Sequence, residues 1–337
     1  MTSPLLSVRG LKVELPIGGK FFPAVDGVDF DLDRGEALGV VGESGSGKTL
    51  AARALLDLLP EGARLSGSVR YGGRELSRLA EGDWRGIRGR EIAMVFQEPA
   101  SALDPVQTIG SQIVEAIQAH SGARRAEALR EARRLLEEVS FTDPDRGLSE
   151  FPHRLSGGLR QRACLAIALA ARPSVLIADE PTTALDATLA ADALDLLDRL
   201  RGDRGLADLL ITHDLSAVAR HTQRCLVVYA ARVVEEAQTG ELFRRPRHPY
   251  TRGLLACAGR LTGETGERMR PIAGSIPDLA FRPRGVCAFA PRCPDRFDPC
   301  DRSEPDLAAD GLSRARCFLY GCASPGSGRV GSGGSGR

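Results

Sequence analysis

Eight consecutive residues constrain this chain more than any other part of it. Gly42-Glu43-Ser44-Gly45-Ser46-Gly47-Lys48-Thr49 follows a short apolar run, Ala37 to Val41, and precedes a helical pattern, Leu50 to Leu59, that stops at Pro60. A strand that turns through glycines into a helix can point several backbone N–H groups at one anion, and the helix start adds a favourable dipole. The residues match the phosphate-cradle pattern G-x-x-x-x-G-K-[ST], in which the lysine reaches the β- and γ-phosphates and the hydroxyl serves Mg²⁺. Chance is a poor explanation. The chain's glycine, lysine and Ser/Thr frequencies give about 0.004 expected matches, largely because Lys12, Lys20 and Lys48 are the only lysines among 45 basic residues.

A second segment answers the first. Val175-Leu176-Ile177-Ala178 is an apolar strand that delivers Asp179 and Glu180 at its C-terminal end, where open α/β sheets bind ligands. Asp179 is placed to hold Mg²⁺ and Glu180 to polarise an attacking water as general base. Leu209–Thr212 and Leu226–Tyr229 read as further buried strands, and helices are expected over Leu159–Ala171 and 124–140, the latter with Leu129, Ala132, Leu136 and Val139 on its apolar side. Strands alternating with helices predict an α/β core with a mostly parallel sheet. Residues 6–14 and 25–33 alternate apolar and polar (Val8, Leu11, Val13; Val28, Phe30, Leu32), which predicts an antiparallel sub-sheet. Beyond about residue 245 prolines and cysteines become dense, and 324–337 is Gly/Ser-rich and expected to be disordered.

With a net charge of +1, no strong overall field points to nucleic acid or an anionic membrane, and no nucleic-acid partner is expected. No apolar run approaches the roughly 18–20 residues that span a bilayer. Met1-Thr2-Ser3-Pro4 lacks the basic-then-apolar pattern of a signal peptide, so a cytoplasmic location is expected.

Leu155-Ser156-Gly157-Gly158-Leu159-Arg160-Gln161-Arg162 resembles the signature motif of ABC ATPases. Three more elements follow that family's order: Gln97 in Val95-Phe96-Gln97-Glu98-Pro99 resembles the Q-loop glutamine, Asp186 in Thr183-Ala184-Leu185-Asp186 the D-loop aspartate, and His213 in Ile211-Thr212-His213-Asp214 the switch histidine. The resemblance implies a P-loop NTPase core of the ABC-ATPase type, ATP and Mg²⁺ as ligands, and roles for these residues. Gln97 would touch Mg²⁺ and the water, His213 the γ-phosphate. Ser156, Gly157 and Gly158 would grip ATP held by an opposing subunit, and Asp186 would communicate across that dimer. The adenine-stacking aromatic is open: Phe21 and Phe22 are candidates, and a core-packing role fits either as well.

The chain further resembles the oligopeptide/dipeptide/nickel importer branch, from residue 5 to about 320. Phe96-Gln97-Glu98-Pro99-Ala100-Ser101-Ala102-Leu103-Asp104-Pro105, Phe151-Pro152-His153-Arg154-Leu155 and His248-Pro249-Tyr250-Thr251-Arg252-Gly253-Leu254-Leu255 carry that resemblance. It implies an ATPase domain over 1–245 with a helical sub-domain near 97–160, and a Cys-rich extension over 246–323. The partners implied are a second, related ATPase chain (or a second copy), two membrane-spanning permease subunits and, indirectly, an external solute-binding protein, with the ATPase on the cytoplasmic face of the membrane. Peptides are the expected cargo, with nickel or metal chelates and other solutes as alternatives; a soluble ABC protein outside transport is the rival. The resemblance also implies a [4Fe–4S] cluster, which some members of the branch hold in this segment, on Cys287, Cys293, Cys300 and Cys317, whose spacings are x5, x6 and x16. A cluster, zinc or no metal all remain open, and Cys322 is a substitute for Cys317. Cys164, Cys225 and Cys257 read as buried apolar side chains.

Overall fold

The computed structural model describes residues 3–183, 187–258 and 272–320. Two sheets organise them. Strands β1 (Leu6–Ile17), β2 (Lys20–Leu32), β4 (Arg64–Tyr71) and β5 (Arg74–Glu75) form an antiparallel sheet in the order β2-β1-β4-β5. The larger sheet adds β3 (Ala37–Val41), β6 (Ile92–Val95), β7 (Val175–Asp179), β8 (Ala207–Thr212), β9 (Arg224–Tyr229), β10 (Arg232–Gln238), β11 (Ala308–Asp310) and β12 (Ser313–Ala315). Its order is β11-β12-β10-β9-β3-β8-β7-β6. The run from β9 to β6 is parallel, while β10, β11 and β12 are antiparallel additions.

The parallel strands are buried on both faces, which is why they read as unbroken apolar runs. The β1–β2 pair instead buries alternate residues, as its sequence alternation requires: Val8, Leu11 and Val13 face Val28, Phe30 and Leu32 in one core. The helix after β3 runs over Lys48–Ala54, shorter than its apolar pattern suggests. The chain turns out of it where Asp57 takes a left-handed φ of 53° and the Leu58 N–H bonds back to Arg53 O.

Helices Ile109–Ser121, Arg125–Glu138 and Pro144–Ser149 build a layer whose buried residues join one face of the main sheet, through Val95, Leu176 and Leu210, in a single core. Ile109, Ile113 and Ile117 lie on one face, and each contributes about 1.5–3 kcal/mol by burial. In Arg125–Glu138 the buried stripe is Ala128, Ala132, Leu135 and Leu136, and Leu129 lies at its edge, 46% exposed. Of the predicted Leu129, Ala132, Leu136 and Val139, the last three are buried as expected and only Leu129 is not, because Ala128 and Leu135 complete the apolar face instead. Helix Gly157–Ala168 returns the chain to β7, and helix Ala187–Arg204 follows that strand.

The segment past residue 245 is not a loose appendage. Strand β12 pairs with β10, extending the main sheet, and Phe289 packs against Tyr229 and Tyr250 at ring distances of 5.2 and 5.5 Å. Glu235, fully buried on β10, accepts the Arg247 and His248 N–H groups at 2.7 and 2.8 Å. That fixes the turn into helix Pro249–Ala258. Cys164 and Cys225 are buried as expected, but Cys257 is only half-buried. Among the described residues no helix is long and apolar enough to cross a membrane.

Candidate active site

Strand β3 ends against the glycine loop, and each fold constraint there has a visible cause. A Cβ on Gly42 would lie 2.2 Å from Val228 O, so β9 can approach only glycine. Gly47 has φ +106°, and a Cβ there would meet Ala24 O at 2.4 Å. The loop closes with Ser46 N–H on Glu43 O and is tied to β10's leading turn by Ala231 N–H on Ser46 O at 2.8 Å. Lys48 turns back into it. Its Nζ donates to Gly42 O at 2.7 Å and Glu43 O at 3.0 Å, and the residue is only 5% exposed. Burial lowers the lysine's pKa, against the charges of Glu180, Asp179 and Glu43, which raise it.

Strand β7 brings its carboxylates to the same place. The Thr49 hydroxyl donates to Asp179 Oδ1 at 3.0 Å, while Asp179 Oδ2 is buried with no hydrogen-bond partner. Burial raises the Asp179 pKa, and the neighbouring Glu180 charge adds to it. A hard divalent cation is what this donor set lacks: an orphaned carboxylate oxygen beside a hydroxyl fits Mg²⁺. Glu180 adopts φ 50°, a left-handed conformation uncommon for a residue with a side chain, with its N–H held by Ile211 O at 2.8 Å. Its Oε2 accepts the Thr183 hydroxyl at 2.5 Å and lies 2.7 Å from His213 Nδ1. Strands β7 and β8 are parallel neighbours, so the residues just past their ends meet, although they are 33 positions apart.

A cavity of about 380 Å³ opens beside the loop, lined by Ser44 through Leu50, Arg53, Gln97 and Glu180, with Leu15 and Ala24 on the sub-sheet side. Phe21 and Phe22 are not in its wall. Each instead has a guanidinium over its ring, Arg64 at 3.5 Å and Arg284 at 5.1 Å. Ser156, Gly157 and Gly158 also lie outside it. Ser156 caps helix Gly157–Ala168, its Oγ accepting the Leu159 N–H at 3.4 Å, and both Ser156 and Gly157 are exposed. Asp186 falls outside the described residues.

A buried lysine inside a glycine loop, an orphaned aspartate and a Glu–His pair at one cavity assign the chemistry to a nucleoside triphosphate. The model of the family described as "ABC transporter" matches residues 25–183. The chain belongs to the ABC transporter ATPases. A second family model, the "Oligopeptide/dipeptide transporter, C-terminal region", matches residues 234–300 of this ATPase. A putative peptide import ATP-binding protein of Brucella abortus is 46% identical over 317 residues, covering 94% of this chain and 95% of the relative. The oligopeptide transport ATP-binding protein AppD of Bacillus subtilis is 43% identical, over 94% and 97%. OppD of Mycobacterium tuberculosis is 48% identical over 94% of this chain, which spans 52% of that longer protein. Among solved structures, the dimeric post-hydrolysis state of the ATP-binding cassette MJ0796 bound to ADP and Pi aligns with a TM-score of 0.63 at 25% identity, over 69% of this chain and 98% of that one.

Sequence reading missed how the His248-Pro249-Tyr250-Thr251 block serves the site. Tyr250, fully buried, accepts the Glu43 N–H on its hydroxyl at 2.9 Å, and the Tyr250 N–H in turn bonds His248 Nδ1 at 3.0 Å. Arg292, farther along the extension, grips the Glu43 carboxylate with two nitrogens at 3.0 and 3.1 Å. The extension therefore braces the phosphate loop. Only the recurrence of polar and aromatic residues in an otherwise loop-like segment hinted at this.

The four cysteines of the extension are gathered in one region. Cys287 N–H donates to Cys300 O at 3.0 Å, and burial pushes the Cys317 thiol up to about 12, with Cys287, Cys293 and Cys300 adding to the shift. Among the described residues no three His, Cys, Asp or Glu side chains stand at metal-holding geometry, and Cys322 lies outside those residues.

Proposed function

We propose that this ATPase powers peptide uptake through a separate permease, hydrolysing ATP at the cavity beside Lys48. The printed functions of the Brucella and Bacillus relatives support peptides as the cargo; nickel or metal chelates remain the alternative. The observation that carries the catalytic assignment is the Glu180 carboxylate, held by Thr183 and His213 at the cavity wall beside the loop. Glu180 takes the proton of the attacking water, and Lys48 and the loop N–H groups stabilise the charge that builds on the phosphate oxygens. His213 steadies Glu180 from its exposed side and faces the γ-phosphate, and Gln97, on the same wall, orients the water. Thr49 and Asp179, with Gln97, would hold Mg²⁺, which when bound would offset the negative charge of the β- and γ-phosphates.

Ser156 and Gly157 are exposed, Gly158 is buried behind them, and none of the three lines its own chain's cavity. That supports a closed sandwich in which each signature grips the partner's nucleotide and Asp186 communicates between halves. A related second ATPase chain is the expected partner, at the cytoplasmic face of the membrane beside two permease subunits. The division proposed is an ATPase domain over 1–245, with the helical layer of 97–160 contacting the permease, and an extension over 246–323. A [4Fe–4S] cluster on Cys287, Cys293, Cys300 and Cys317 is supported by the closeness of four thiols and opposed by the lack of ligating geometry. Iron content and absorbance near 400 nm in an anaerobic preparation test it, and a colourless, iron-free protein removes it.

Glu180→Gln tests the central reading. The amide preserves shape and ATP affinity but cannot take a proton, so kcat falls by about 10²–10⁴ while the ATP-bound dimer accumulates. Hydrolysis at the parent rate would refute the base assignment.

A further inference from the structure

The cavity wall contains two residues that no nucleotide motif supplies. Leu279 and Arg282, from the C-terminal extension, line it together with the phosphate loop. The turn Leu279–Phe281 packs on β2, near Ala24. Arg282 donates from Nη2 to Gly45 O at 2.6 Å, inside the loop itself, and from Nε to Pro277 O at 3.4 Å. Its Nη1 is buried and has no hydrogen-bond partner. An arginine offers five donors in a planar fork suited to phosphate, and a buried one left idle is costly. Burial also holds this guanidinium's pKa below its ordinary value. The turn does not hang freely over the cavity. Arg292 clamps Glu43 at one end and the Ala273 and Gly274 carbonyls at the other, at 2.8 and 3.1 Å. The bridge is largely sheltered, with Arg292 only 7% exposed.

We propose that the turn around Leu279–Arg282 is a working part of the nucleotide site. Leu279, opposite Leu15 and Ala24, supplies the apolar surface for the purine that Phe21 and Phe22 do not provide. Arg282 supplies a second cation to the cavity wall beside Lys48, and on binding its guanidinium turns from Gly45 O to donate to a phosphate oxygen of the triphosphate. The ligand is the Mg·ATP of the proposed function, and the inference rests on that reading. Its consequence is that the Cys-rich extension senses nucleotide occupancy directly, through a side chain in the pocket.

The test uses the full-length protein, with Arg282→Ala, Arg282→Lys and Leu279→Ala, titrated calorimetrically with Mg·ATP and with Mg·ADP and melted without nucleotide. Loss of one charge-assisted hydrogen bond predicts about tenfold weaker ATP binding for Arg282→Ala, with Arg282→Lys recovering part of it. Leu279→Ala should weaken ATP and ADP alike, by about three- to tenfold. Steady-state kinetics should place both effects in KM more than in kcat. Parent protein that binds Mg·ATP, with folded variants whose Kd values stay within twofold of it, overturns the inference and leaves the active-site assignment standing. An Arg282→Lys variant as weak as Arg282→Ala, with both melting well below the parent, also overturns it, because the arginine would then be a structural brace. A parent that binds no ATP overturns both readings.

Discussion

Lys48→Ala separates nucleotide binding from folding. In the free protein Lys48 Nζ rests on Gly42 O and Glu43 O at 2.7 and 3.0 Å, and the side chain is already almost wholly out of water. Binding of ATP therefore does not carry the cost of desolvating this ammonium, because folding has already met it. Two contacts to phosphate oxygens at about 1.5–3 kcal/mol each give a gross loss of about 3–6 kcal/mol on truncation. The loop N–H groups and the Mg²⁺ ligands remain, so the lower half of that range is the expectation, which is about a 10²–10³-fold rise in Kd. Stability should move little. Truncation strips two carbonyls of a donor, about 1–3 kcal/mol, but it also removes a buried charge whose pKa is already depressed by burial. Calorimetric titration with Mg·ATP, paired with thermal melting without nucleotide, reads both quantities. A Kd within threefold of the parent in a protein that melts normally would refute the placement of Lys48 at the phosphates.

Other outcomes follow from the same geometry. Gly47→Ala combines a left-handed backbone, about 1–2 kcal/mol, with a Cβ 2.4 Å from Ala24 O; a sharply lower melting temperature and no ATP binding are expected, and normal melting would contradict the close approach. Tyr250→Phe leaves the Glu43 N–H without its acceptor and should cost about 1–3 kcal/mol in chemical denaturation; an unchanged midpoint would show that Tyr250 does not brace the loop. His248 has its pKa pushed down to about 3, by burial first and then by the Arg252 charge. The unfolded chain takes up a proton near pH 6.5 and the folded chain does not, so this contribution is intact above pH 6.5 and is lost as pH falls toward 3. It amounts to about 2 kcal/mol lost at pH 5. In His248→Gln the stability difference between pH 7 and pH 5 should shrink by that amount, and an identical difference in both proteins would refute the burial argument.

The sequence by itself determined the parts of this protein that are local or strictly periodic. Gly42 to Thr49 dictates a strand–loop–helix because only glycines tolerate the left-handed turn and the 2.2 Å approach of Val228 O, and a buried parallel strand such as Val175–Asp179 must be apolar throughout. The Asp179–Thr49 pair is readable for the same reason, since Asp179 ends β7 and Thr49 opens the helix after β3, both at the C-terminal edge of the parallel strands. Tertiary structure alone decided what meets across long separations. His213 reaches Glu180 through the adjacency of β7 and β8, and Arg292 reaches Glu43 across 249 residues. Leu279 and Arg282 line the cavity where Arg292 ties Glu43 to the Ala273 and Gly274 carbonyls and so holds the extension against the loop. No period or spacing encodes such contacts. They arise from which buried faces close on one another, and a segment without periodicity leaves no trace of that in its own residues.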